Sequence, residues 1–279
     1  MRLLLLFIWM YYCYCYEENI ALHTVNLAQA TYTISNVDEW NCATCPTCDP
    51  SIKLEYIVEH HGTKALQGFD SYTNTIFIAF RGSSNIQNWI DNIQISKISP
   101  YNDTSINVEK GFYKAYDYLK PDLFNNILTL VSKYNTNQVS ITGHSLGAAM
   151  ATLMAYDILN FYSNYKITFF YTFGSPRVGN PEFVASFHSF NIPSYRITHY
   201  YDIVPHVPEE FMGYSHISNE IWYNEDNNHY TICNDDNKED NSCSNSCAPI
   251  HCTSISDHLY YLNVSMGSDG SSVDTSTLH

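Results

Sequence analysis

The stretch Val139-Ser140-Ile141-Thr142-Gly143-His144-Ser145-Leu146-Gly147-Ala148-Ala149 decides how this 279-residue chain is read. Residues 139–142 have strand character, and residues 146–160 read as a helix. Between them the chain must turn sharply, with Ser145 at the corner. Such a turn crowds the backbone, so Gly143 and Gly147 remove side chains that would collide. The turn lifts the Ser145 hydroxyl above the edge of a sheet and sets the Leu146 N–H at the positive end of the helix that follows. Ala148, Ala149 and Ala151 allow that helix to lie close on the strands. G-x-S-x-G also occurs as a plain glycine-rich turn, so its weight here comes from the strand before it and the helix after it.

Outward from this corner, short apolar runs alternate with helical patterns. Residues 75–80 read as a buried strand ended by Arg81-Gly82, and residues 167–173 and 195–200 as two more. Residues 121–134 carry Leu123, Ile127, Leu130 and Val131 at helical spacing. This alternation predicts an α/β fold: a mostly parallel sheet with helices on both faces, in a single domain over residues 16–266. No internal repeat, Pro-rich linker or heptad pattern interrupts it.

Composition narrows the functional classes. Hydrophobic residues at 45% and aromatics at 15% suffice for a packed core, which excludes a disordered chain. The 13 Lys and Arg against 28 Asp and Glu give 13 − 28 = −15, which excludes nucleic acid as a partner. Met1-Arg2, an apolar run over 3–12 and Cys13-Tyr14-Cys15 read as an export signal cut after Cys15. The run is too short to span a bilayer, so no transmembrane segment is expected. Seven cysteines remain after the cut, in two clusters: Cys42, Cys45 and Cys48, then Cys233, Cys243, Cys247 and Cys252. In an exported chain they read as disulfides rather than as zinc ligands, although Cys42-x-x-Cys45-x-x-Cys48 has ligand-like spacing. Seven is odd, so one thiol stays outside the internal pairs. Sequons at Asn102 and Asn263 fit the same compartment. The chain thus reads as secreted, extracellular or within the lumen of the secretory or lysosomal pathway, and as a monomer. Residues 267–279 read as a flexible tail, and no metal or cofactor is expected.

A serine hydroxyl is a weak nucleophile until a base takes its proton and an acid orients that base. On a sheet of this kind the order along the chain is Ser, acid, His. Asp202 follows a strand directly and leads into the stiff run Ile203-Val204-Pro205, which suits a fixed carboxylate. His258 stands in Asp257-His258-Leu259-Tyr260-Tyr261, beyond the second cysteine cluster, and competes with His199, His206, His216, His229 and His251.

Together these segments resemble the class 3 lipases, the family of the filamentous-fungal triacylglycerol lipases. The likeness rests on Phe80-Arg81-Gly82-Ser83-Ser84, Asn88-Trp89-Ile90, Gly143 to Gly147, Phe173-Gly174-Ser175-Pro176-Arg177-Val178-Gly179-Asn180, Asp202-Ile203-Val204-Pro205-His206 and Asp257-His258. The resemblance implies an α/β-hydrolase fold with a short helical lid. It implies Ser145 as nucleophile, His258 as general base and acid, and Asp202 as orienting carboxylate. Ser83 and Leu146 would supply the backbone N–H groups of an oxyanion hole. Ile86, Trp89, Ile90 and Ile93, at i, i+3, i+4 and i+7, would form the lid's substrate-facing side. The implied substrate is a lipid ester at an oil–water or membrane interface. Triacylglycerol leads, phospholipase A1 and feruloyl-type esterase are the alternatives, and a silent lipid-binding relative is the reading from another class. The family's pairings match Cys42 with Cys45 and Cys233 with Cys243. Its upstream cysteine is replaced near Thr31, which points to Cys48 with Cys247 or Cys252 for that link. Pro208-Glu209 replaces a frequent Pro-Pro, which implies a pocket wall, and so a substrate preference, that departs from the family's.

Overall fold

The computed structural model describes residues 16–37, 49–93, 95–217, 219–234, 239–248 and 250–267. The expected export signal, Cys42, Cys45 and Cys48, and the segment 268–279 lie outside the described residues. Helix α1 (Glu18–Thr33) precedes strands β1 (Ile52–His60), β2 (Thr63–Asp70) and β3 (Thr75–Phe80) and the short helix α2 (Ile86–Asn92). A small antiparallel ladder of β4 (Lys97–Ile98) and β5 (Val108–Glu109) leads to helices α3 (Lys110–Asp117) and α4 (Lys120–Tyr134). Strand β6 (Gln138–His144), helix α5 (Leu146–Phe161), strand β7 (Lys166–Phe173), helix α6 (Pro181–His188) and strand β8 (Ser194–His199) then alternate. Strands β9 (Glu220–Tyr223) and β10 (Tyr230–Ile232), helix α7 (Ile255–His258) and the hairpin of β11 (Tyr260–Tyr261) and β12 (Val264–Ser265) complete the order.

Eight strands form one sheet in the order β1-β2-β3-β6-β7-β8-β9-β10. The run β3-β6-β7-β8-β9 is parallel, flanked by antiparallel β1 and β2 on one side and β10 on the other. The register pairs Phe80 with Gly143, His144 with Phe173, and Phe173 with Ile197, so neighbouring strands end together. Loops that leave those ends carry Ser83, Ser145, Gly174 and Asp202 to one edge of the sheet, where open α/β sheets place their ligands.

Alternation along the strands divides the core. Phe170 joins the cluster formed with α3, α4, α5 and α6, whereas its neighbours Tyr171 and Phe173 join Ile20, Ala21, Val25 and Ala28 of α1. Helices therefore cover both faces, as expected. The buried Ala148, Ala149, Ala151 and Ala155 bring α5 close to the sheet. The strand expected over 195–200 runs instead from Ser194 to His199, because Tyr200 turns out of β8 with φ +33°.

Cys233 and Cys243 are joined, as the resemblance implied. The expected link from Cys48 to Cys247 or Cys252 is overturned, because Cys247 and Cys252 are joined to each other. A 3₁₀ turn over Ser244–Cys247 folds the chain back, and the His251 N–H donates to the Cys247 carbonyl at 2.8 Å. That local turn brings the two Cα atoms to 5.1 Å, within disulfide reach. Both sequon asparagines, Asn102 and Asn263, are exposed. Among the described residues no helix is long and apolar enough to cross a membrane.

Candidate active site

The corner at Ser145 is as tight as the sequence predicts. A Cβ at Gly143 would collide with the Gly147 carbonyl, and one at Gly147 with the backbone of Phe80 and Arg81. Glycine at 147 thus sets the first turn of α5 against the strand end that leads into Ser83. Ser145 itself takes φ +60° and ψ −131°, a conformation that costs a non-glycine residue on the order of 1–3 kcal/mol. Neighbours over-determine it. Its N–H donates to the Phe173 carbonyl at 2.9 Å, and its carbonyl accepts from Ala148 at 2.9 Å and Ala149 at 3.3 Å.

Asp202 and His258, 56 residues apart in the chain, meet at 2.9 Å between Oδ2 and Nδ1. Asp202 comes off β8, and His258 closes α7, whose Ser254 cap and backbone bridge to Asp202 anchor it there. The Val204 N–H donates to Asp202 Oδ1 at 2.8 Å, and the Tyr261 hydroxyl donates to Oδ2. Burial works against the Asp202 charge, but the facing His258 and these hydrogen bonds hold its carboxyl below the usual range. Burial and the Asp202 charge push the Tyr261 phenol well up, so it remains a donor. Gly174, at φ +55°, leaves room for the couple: a Cβ there would lie 2.9 Å from Asp202 Oδ2, His258 Nδ1 and Tyr261 Oη alike.

Ser145 and His258 are both fully buried. His144, the neighbour of Ser145, packs its ring against that of His258, tilted by 31° with centroids 4.5 Å apart. Ser145 Oγ and His258 Nε2 are both buried, and neither has a hydrogen-bond partner among the described residues. Such couplings between nucleophile and base often tighten only when a substrate is bound. The competing histidines are engaged elsewhere. His199 lies against the Asp257 and Glu225 carbonyls, His216 donates to the Pro205 carbonyl, His206 packs on the Cys247 sulfur, and His229 and His251 are exposed.

The lid candidates form α2 and its end. Asn85 caps the helix by accepting from the Asn88 N–H at 3.0 Å. Ile86, Trp89, Ile90 and Ile93 are all half-buried, and Trp89 and Ile93 pack on the main core. Trp89 stacks on Phe112 at 5.9 Å. Beneath them lies a cleft of about 480 Å³, bounded by Trp89, Ile93, Phe112 and Leu146 on its apolar side. The cleft therefore adjoins the corner that bears Ser145.

Among the described residues two groupings have metal-ligand spacing, His206 with Cys247 and Cys252, and Glu220 with Cys233 and Cys243. In both, the two sulfurs are already bonded to each other. The sequence reading missed Tyr261 and Gly174. Tyr261 lies three residues beyond His258, and nothing in a string of tyrosines marks one as the partner of a carboxylate.

Residues 77–212 match the family described as lipase (class 3), a span that holds Ser83, Ser145 and Asp202 but not His258. The chain is 36% identical over 233 residues to a lipase of Rhizomucor miehei, covering 82% of this chain and 63% of that protein. Among solved structures, the triacylglyceride lipase of Rhizomucor miehei superposes with a TM-score of 0.80 at 32% identity, covering 90% of this chain and 96% of that one. A triacylglycerol lipase whose catalytic centre is formed by a serine protease triad matches with the same TM-score, 0.80, at 33% identity and the same coverage.

Proposed function

The chain belongs to the class 3 lipases, and from that membership we propose that it is a secreted serine hydrolase cleaving carboxylic esters of lipids, triacylglycerols foremost. Support comes above all from the Asp202–His258 couple, which packs on His144, and from the strained, buried Ser145 next to His144 at the strand-to-helix corner. Ser145 Oγ attacks the ester carbonyl carbon while His258 Nε2 takes its proton, and Asp202 stabilises the imidazolium that forms. The carbonyl oxygen becomes an oxyanion, and the N–H groups of Ser83 and Leu146 receive it. Preorganised donors of this kind contribute on the order of 3 kcal/mol each. His258 then returns the proton to the departing alcohol, which leaves an acyl group on Ser145. Water, deprotonated by the same imidazole, attacks the acyl carbon; the bond to Ser145 Oγ breaks, His258 returns the proton to that oxygen, and the fatty acid leaves.

In this reading α2 is the lid, and its apolar side exchanges the cleft for a lipid surface. The cysteine pairs and the exposed sequons support an exported protein. Release of acid from triolein, phosphatidylcholine and a short p-nitrophenyl ester tests the proposal. Ser145→Ala, still folded, is expected to lose about 10⁵-fold or more in kcat on every ester. Retained hydrolysis by that variant would refute it. A rate jump as the substrate passes its solubility limit is expected for the lid, and smooth saturation would remove that part.

A further inference from the structure

Upstream of the matched segment, α1 sends one side chain into the cluster around His258. The Tyr32 hydroxyl lies 2.7 Å from His144 Nδ1, and His144 Nε2 lies 2.8 Å from the backbone carbonyl of His258. A carbonyl only accepts, so His144 must carry its proton on Nε2 and accept at Nδ1 from the Tyr32 O–H. The tyrosine oxygen in turn takes the Gly82 N–H, and a Cβ at Gly82 would run into it. One chain of hydrogen bonds thus runs from Gly82, beside Ser83, through Tyr32 and His144 to the peptide of His258. His144 is wholly buried and Tyr32 half-buried. Burial, and next the nearby His258, push the His144 imidazole down to about 3, so it stays neutral.

The geometry points to Tyr32 as a positioning residue for the proposed ester hydrolysis: its hydroxyl selects the His144 tautomer that holds the His258 peptide, and it ties that peptide to the segment bearing Ser83. The inference rests on the roles given to Ser145, His258 and Ser83 above. Without the Tyr32 oxygen, His144 is free to move its proton to Nδ1, which leaves the His258 carbonyl without its donor and the Gly82 N–H without its acceptor. The nucleophile and the cleft are untouched. The loss therefore falls on turnover rather than on substrate binding.

Tyr32→Phe removes one oxygen and keeps the ring. On a soluble p-nitrophenyl ester, kcat is expected to fall about tenfold with KM unchanged within twofold, the scale of one hydrogen bond. In His144→Phe the relay is already cut, so adding Tyr32→Phe should lower kcat no further. A Tyr32→Phe enzyme with wild-type kcat, or an effect that repeats in full on the His144→Phe background, would overturn the inference. Should the substituted enzymes fold poorly, ¹⁵N NMR of the wild-type histidine rings gives an independent reading. The Nε2–H tautomer at His144 is expected, and the Nδ1–H tautomer overturns the proposal. Active Ser145→Ala would instead sink the hydrolase reading itself, so the two failures are separable.

Discussion

The corner at Ser145 and the helix α2 lie side by side and are built on opposite principles. At the corner, glycines at 143 and 147 let backbone meet backbone, and three backbone hydrogen bonds hold a strained serine. In α2 every apolar side chain is half-buried, and local polar contacts tie the helix to itself: Asn85 Oδ1 accepts from the Asn88 N–H, and Gln87 donates to Asp91 at 2.8 Å. A half-buried apolar side chain contributes only about 1 kcal/mol, a term that contact with lipid can replace. Positional strain persists only where the surroundings over-determine it, and a mobile cover works only where they do not. On the proposed roles, bond-making and substrate admission sit in differently packed parts of one edge.

That contrast can be broken or sharpened by experiment. The largest change after removal of the nucleophile is expected in Asp202→Asn, with kcat down about 10⁴-fold because the imidazole loses its orienting charge. A loss below tenfold would separate the couple from the chemistry. Next comes Gly147→Ala, whose new methyl meets the Phe80 and Arg81 backbone, where neither side can yield. Unfolding in denaturant should show a loss of about 3 kcal/mol, the upper range for overpacking. An unchanged midpoint would mean that the corner is not tight.

Acid should strike the corner's side of the molecule, since no histidine occurs between Ser83 and Ile93. Burial pushes His144 down to about 3 and, with Arg177 nearby, His206 down to about 4. Both are neutral when folded, whereas the unfolded chain takes up protons near the ordinary value of 6.5. Their contribution is complete above pH 6.5 and declines as pH falls toward 4, by up to about 1.4 kcal/mol per pH unit for each histidine. Asp202, whose carboxyl is depressed, adds stability above its unfolded value and loses it only at lower pH. Denaturation at pH 7, 5.5 and 4.5 checks this, and a flat profile would contradict it. The smallest effect belongs to the lid. Trp89→Ser should lower hydrolysis of emulsified triolein severalfold, about 1 kcal/mol, while leaving a soluble short ester nearly unchanged. Equal losses on both would make α2 a fixed part of the core.

Ser145 and Asp202 stood out by local pattern, whereas His258 stood apart from five competing histidines only through the family resemblance. Gly-x-Ser-x-Gly at a strand end and an acid at a later strand end follow from where the chain must turn. The parallel strands were legible for the same reason, since apolar runs and helical spacing are short-range signals. The antiparallel flank of β1 and β2, the self-pairing of Cys247 with Cys252 and the contact of Tyr261 with Asp202 were not. Nor was Tyr32 against His144, a bond that spans 112 residues. What the sequence determined alone was the order of turns and the types of group at them. Which distant hydroxyl, carbonyl or sulfur came within reach was decided by the packing of α1 and α7 around one sheet edge, because hydrogen bonds need partners within about 3 Å and residue spacing cannot set distances between separate elements.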